Sequence, residues 1–212
     1  MRDIENLGAW CVRMLKLAMV VEALFFVHSF SYLIQLLGID VGANPSQFAN
    51  LVDTLGLVVI GIYLVVLLAC YIMSGRWIYR ASFNAGMMAQ AGGDRVSPGW
   101  AVGWFFIPIA NLFKPFQAMR QTWNSTFSPT KDINSPVESA LGWWWGAWII
   151  SNILGQISYR AAVNGSFDGL KISTYTDLIN FPITVVSIYF FMRIIQAVTA
   201  AQTHDNIHET FA

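Results

Sequence analysis

Charge is what this chain has least of. Of its 212 residues only 11% are Asp, Glu, Lys or Arg, against about a quarter in ordinary soluble domains. Acids and bases balance at 12 each, so net charge gives no pull toward nucleic acid or an acidic substrate. Cysteine is equally scarce. Cys11 and Cys70 share no metal-ligand spacing and no pairing motif, which excludes a disulfide framework and leaves two free thiols. There is no phosphate-cradling glycine loop, no nucleophile elbow and no zinc cysteine pair, so no soluble-enzyme chemistry is written in the chain. No repeat of 20 to 50 residues is present, and no pair of matching halves as in many transporters.

What fills the chain instead is apolar. Hydrophobic residues make up 56% and aromatic residues 15%, enough for several membrane spans. Runs of roughly 20 apolar residues cross a bilayer as helices, and four segments qualify: about 17–37, 51–73, 141–159 and 178–200. The chain therefore reads as a single all-α, polytopic membrane domain over 1–212. Its opening MRDIENLGAWCVRMLK lacks a small-residue cleavage site, so the first span reads as a retained anchor. The spans are joined by polar loops at Asn124 to Val137 and Ala161 to Thr176, and the second span runs on through Arg76, Arg80 and Asn84 until Gly92 and Gly93 stop it. Gly56 and Gly61 in that span are places where a neighbouring helix can approach.

Between the second and third spans lies the most unusual stretch, RVSPGWAVGWFFIPIANLFKPFQAMRQTW, within 95–125. Its apolar run from Gly99 is too short to span. A helix from Gly99 to Ile107 climbs only about 14 Å before Pro108 removes a donor and forces a bend. The expected geometry is re-entrant or interfacial, with Asn111 satisfying freed backbone groups and Pro115 opening a new helix. In that helix Phe116, Arg120 and Trp123 share a face suited to the headgroup plane, with Arg120 reaching phosphate. Irregular backbone at this depth must be covered by protein or water.

This stretch, with its Pro98, Gly99, Trp100, Trp104, Pro108, Asn111 and Pro115, resembles the signature of a bacterial family of integral membrane proteins of unknown function. The likeness extends to RWIYRASFNAG upstream, and to LGWWWGAW and the helix ending in Gln202 downstream. It implies a fold and a bacterial setting, with no catalytic residues to carry over.

Positive charge orients the chain. With the motif re-entering, Arg2, Arg13, Lys16, Arg76, Arg80, Arg95, Lys114, Arg120, Lys131 and Arg193 fall on the amino-terminal side, and only Arg160 and Lys171 on the other. Cytoplasmic loops carry that excess, so a multi-pass protein of the inner membrane with both termini cytoplasmic is expected.

Few polar groups enter the spans. Glu22 sits roughly 8 Å deep in the first and Arg193 at similar depth in the last, so they can pair; Arg120 or Arg80 are alternative partners. Intramembrane ionisable groups are functional candidates, although such a pair can equally lock helices together. His28 lies level with Asn152, and a hydrogen bond between them is expected. Haem needs a second histidine at that depth, which the sequence lacks. His204, Asp205, His208 and Glu209 have a chelating spacing, but on a polar tail that reads as solvated. No metal or cofactor is expected. Membrane lipid is the expected partner, together with a larger membrane-protein complex or a second copy of the chain. Three functional classes follow in order: a non-catalytic accessory, scaffold or lipid-organising subunit; a small transporter or channel using the Pro108/Asn111 break with Glu22 or His28 as ionisable groups; and, last, a lipid-modifying enzyme.

Overall fold

The computed structural model describes residues 2–39, 44–88, 96–127 and 136–210, with side chains for all of these except 136–138 and 204–210. The described residues are all-α. Helix α1 spans Glu5–Leu36, α2 Pro45–Met88, α3 Pro98–Gly103, α4 Lys114–Phe127, α5 Pro136–Val163 and α6 Phe167–Thr210, with two 3-10 turns at Trp104–Phe106 and Ala110–Leu112.

Local chemistry sets the helix ends. Asp3 accepts the Glu5 amide at 3.1 Å to open α1. At its end Gly38 adopts φ +64, while the Gly38 amide donates to Gln35 and the Ile39 amide to Ile34; this paired closure needs a left-handed residue and selects glycine. Asn44 takes the Ser46 amide at 3.1 Å, and Pro45 follows it at the first helical position, where its missing donor costs nothing. Gly165, at φ +65, ends α5. Ser166 then accepts the Gly169 amide at 3.0 Å and starts α6 at once. The connection expected over Ala161 to Thr176 is therefore a turn of three residues, because a glycine stop and a serine cap stand side by side. Likewise Asn124 to Phe127, expected in a loop, continue α4, and Pro136 and Val137 open α5; residues 128–135, like Gly92 and Gly93, lie outside the described residues.

Among the described residues three helices are long and apolar enough to cross a membrane: Glu5–Leu36, Pro45–Met88 and Phe167–Thr203. Helix α5 has the length, at 28 residues, but Trp143, Trp144, Trp145, Trp148, Asn152 and Gln156 reduce its apolarity. Both α2 and α6 have 44 residues, about 66 Å of helix, far more than a hydrocarbon core of about 30 Å requires.

The chain divides into two compact units. One, called the motif unit below, contains Met1–Leu15, Ala69–Trp145 and Tyr189–Ala212; the other, the span unit, contains Lys16–Leu68 and Gly146–Ile188. The motif unit has a well-packed core of Ile4, Cys11, Trp77, Met119, Leu141 and Ile194, each at most 1% exposed. Gly8 is required there, since a Cβ would lie 2.5 Å from the Thr199 hydroxyl, the group that accepts the Trp77 indole N–H at 3.0 Å. The span unit packs differently: hydroxyls are buried beside Val21, Leu33, Val52 and Val66. Ser29, Ser158, Ser173, Thr174, Thr176 and Ser187 are buried, while Leu57 is 77% and Val65 70% exposed. Helices with hydroxyls inside and aliphatic side chains outside are built for lipid, where polar groups must find partners within the bundle.

Candidate functional site

The motif belongs wholly to the motif unit, and its backbone follows from its prolines. Pro98 opens α3 after Ser97. The α-helix ends earlier than the expected Ile107: it stops at Gly103 and tightens into the Trp104–Phe106 turn. Ile107 is extended, at φ −103 and ψ 113, as a residue before proline must be to avoid the pyrrolidine ring. Beyond Pro108 the backbone closes on itself, with the Asn111 amide donating to Ile107 at 2.7 Å and the Phe113 amide to Ala110 at 3.2 Å. The Asn111 side chain was expected to satisfy freed backbone groups. Its Oδ1 is buried without a hydrogen-bond partner, while the Asn111, Leu112 and Phe113 amides of the turn bond to backbone carbonyls.

Aromatic stacking and one indole hold the turn. Trp100 stacks on Trp104 at 4.6 Å, while Phe105 and Phe116 flank Trp145 at 6.2 and 6.3 Å. Trp145 donates its N–H to the Leu112 carbonyl at 3.2 Å. What remains outside is an apolar tip: Phe106 is 82% exposed, Ile109 77% and Leu112 56%. Lys114 stands beside this tip with its ammonium 5.9 Å from the centroids of both Trp104 and Phe113.

Helix α4 fastens the motif from behind. Pro115, Ala118, Met119, Thr122, Trp123 and Thr126 form its buried face, so Trp123 belongs to the packed side and does not share a surface with Arg120, which is exposed. Core demand outweighed the interfacial face read from the aromatic spacing. Behind α4 lies a buried amide that sequence reasoning passed over. Gln202, fully buried, donates to the Ala81 carbonyl at 3.1 Å and to the Thr126 hydroxyl at 2.9 Å; its Oε1 has no partner. Asn84 does similar work at the amino terminus: its Oδ1 accepts the Arg2 amide at 2.7 Å and its Nδ2 donates to the Arg2 carbonyl at 2.9 Å. Arg2 then lies over the Tyr79 and Phe83 rings. Cys11 and Cys70 are buried free thiols.

In the span unit, Glu22 takes a hydrogen bond from Tyr63 and feels the charge of Asp177, which is itself hydrogen-bonded by Ser158. Ser158 and Ser173 are 2.9 Å apart. Arg193, Arg80 and Arg120, the partners expected for Glu22, all belong to the motif unit. Asp177 was missed because the expected span began one residue later, at Leu178. His28 and Asn152 do not pair. The His28 Nε2 lies 3.2 Å from the Val52 carbonyl, and Asn152 donates to Trp148 one turn earlier at 2.7 Å. Gly56 makes room for the imidazole, since a Cβ there would lie 2.6 Å from Nε2. Gly61, its expected companion, faces open space. Among the described residues no group of three or more His, Cys, Asp or Glu is placed to hold a metal. The His204/His208 spacing falls on side chains outside the described ones, on a helix that runs through to Thr210.

Residues 41–199 match the family described as a domain of unknown function, DUF4328. The match covers most of the chain and includes the motif, all of α2 through α5, most of α6 and parts of both compact units: this protein belongs to that family. Neither a curated protein nor a solved structure matches the chain.

Proposed function

We propose that this member of the DUF4328 family is a non-catalytic, multi-pass protein of the bacterial inner membrane, serving as an accessory, scaffold or lipid-organising subunit of a membrane assembly. In this reading α5 is the fourth span, both termini are cytoplasmic, and the motif enters the cytoplasmic leaflet without crossing it. The observation that carries it is the tip at Phe106, Ile109 and Leu112, exposed on a turn whose base is locked by Trp145 and whose rear is packed by α4. A rigid apolar projection of this size on a membrane protein is covered by lipid or by a partner. A cysteine placed within Asn124 to Val137 tests the topology: labelling only from the cytoplasmic side supports re-entry, and labelling from outside the cell makes the motif a span and ends this reading. Gentle extraction followed by native mass spectrometry should retain a second protein, a second copy or a specific lipid.

A second reading, a small transporter or channel, gains from Asp177. The sequence offered Glu22 as a solitary acid, whereas Glu22 and Asp177 interact within one unit, each with a hydroxyl partner from another helix. Intramembrane carboxylates commonly serve proton or cation pathways. A pH-dependent flux in liposomes that Glu22→Gln abolishes would favour this class over the first, and the Pro108/Asn111 break would then be examined as part of the solute path.

A further inference from the structure

We propose that Lys114, with the Trp104 and Phe113 rings, forms a headgroup site for an anionic glycerophospholipid of the bilayer, seated at the base of the Phe106–Ile109–Leu112 tip. The inference rests on the re-entrant reading and adds to it the chemistry of the lipid.

The first support is charge. Residues 96–127 contain no Asp or Glu, and their only charged side chains are Lys114 and Arg120. A motif that is purely cationic suits the negative surface of a membrane leaflet. Geometry is the second support. The ammonium is 5.9 Å from both ring centroids, within the range of a cation over an aromatic face, and among the described residues no carboxylate neutralises it. Lys114 begins α4 two residues after Leu112 of the tip, and the rings it faces, Trp104 and Phe113, bracket the tip in the chain; a phosphate is expected at that end if the tip lies among acyl chains. Discrimination is the third. The aromatic faces already carry a cation, so the quaternary ammonium of a choline headgroup meets repulsion where it would otherwise find an aromatic cage. An anionic headgroup such as phosphatidylglycerol meets attraction there. The tip thus supplies depth, through Phe106, Ile109 and Leu112, and Lys114 supplies selectivity.

Native mass spectrometry of the full chain, released from nanodiscs holding equal amounts of phosphatidylglycerol and phosphatidylcholine, reads the selectivity as the ratio of single-lipid adducts. The wild-type protein should favour phosphatidylglycerol. Lys114→Gln should lower that preference by about fivefold, the change that about 1 kcal/mol per basic residue at a membrane surface corresponds to, and Lys114→Arg should keep it. An unchanged ratio in Lys114→Gln overturns the headgroup site. Depth is read separately, from an environment-sensitive fluorophore on Ile109→Cys in the same nanodiscs; Cys11 and Cys70 are buried and escape labelling. Quenching of this probe by nitroxide-bearing lipids, in wild-type and Lys114→Gln backgrounds alike, sustains the re-entrant reading whatever the lipid ratio. Loss of preference with a quenched probe supports both claims. A probe beyond the reach of lipid nitroxides overturns the tip and with it the proposed site.

Discussion

The same chain builds two interiors of different composition. In the motif unit the buried residues are mainly aromatic and aliphatic, Trp77, Met119, Ile194 and Ile195 among them, and its few buried polar groups, Asn84, Thr122, Thr126 and Gln202, are hydrogen-bonded to backbone or to one another. In the span unit a series of serines and threonines is buried beside Val21, Leu33, Val52 and Val66, while many other leucines, isoleucines and valines face outward. Since α1, α2, α5 and α6 each contribute to both units, helix type cannot explain the contrast. In the proposed reading, with the span unit in lipid and the body of the motif unit facing water, the surroundings can. Water drives apolar surface inward, whereas lipid gives no such reward and leaves hydrogen bonding and close packing to hold helices together.

The largest test of this contrast lies in the motif unit's core. Trp77 is fully buried, meets Phe191 edge-on at 6.1 Å and donates to Thr199. Trp77→Ala should cost about 3–5 kcal/mol, the range for deleting a large core aromatic, visible as a lower unfolding midpoint in mild detergent. A loss under about 1 kcal/mol would mean the unit is not packed as a water-driven core.

Next in size is a paired substitution at two well-exposed positions. Leu57, on the outside of the span unit, is 77% exposed and Met87, on the motif unit, 64%. Arginine at Leu57 should cost about 3 kcal/mol of membrane insertion, measured as reduced integration and yield. Arginine at Met87 should stay within about 0.5 kcal/mol of wild type, as at any water-facing surface. Equal effects at the two positions would remove the distinction between the two environments.

These tests also mark what could be read without coordinates. Long apolar runs and few charges announced membrane helices, and Pro108 announced the break in the motif, because each acts through local rules that need no tertiary context. Helix α5 was expected as a fourth span over 141–159, but it is not among the three helices apolar enough to cross, because its four tryptophans supply bulk and interfacial preference while lowering hydropathy. The partners of polar residues were not legible at all. His28 was matched to Asn152 by depth, yet depth fixes only one coordinate, and which face of each helix meets which neighbour decides the contact. Asn152 faces outward and bonds its own helix, while the carbonyl beside His28 belongs to Val52. Gln202 and Asn84 were hidden for a related reason, since an amide at the end of a helix looks solvated until another segment covers it.

The smallest effects concern that histidine, and they sharpen the comparison from the lipid side. Gly56→Ala places a methyl 2.6 Å from the present position of Nε2, so the imidazole must move and its contact with Val52 is lost. Overpacking of this kind costs about 1–3 kcal/mol. His28→Ala should cost less, about 0.6 kcal/mol, as for a typical hydrogen bond between helices in a membrane. The two are coupled through one space. With His28 already alanine, the Gly56 methyl enters the room the ring has left, so the double variant should be more stable than the sum of the single losses predicts, by about 1 kcal/mol. Helix association in bilayers or mild detergent measures all three. Strict additivity would separate the glycine from the histidine and place the cost of Gly56→Ala elsewhere; the coupled result makes Gly56 a residue chosen to admit a polar ring between two helices, in a unit held together by close approach and hydrogen bonds.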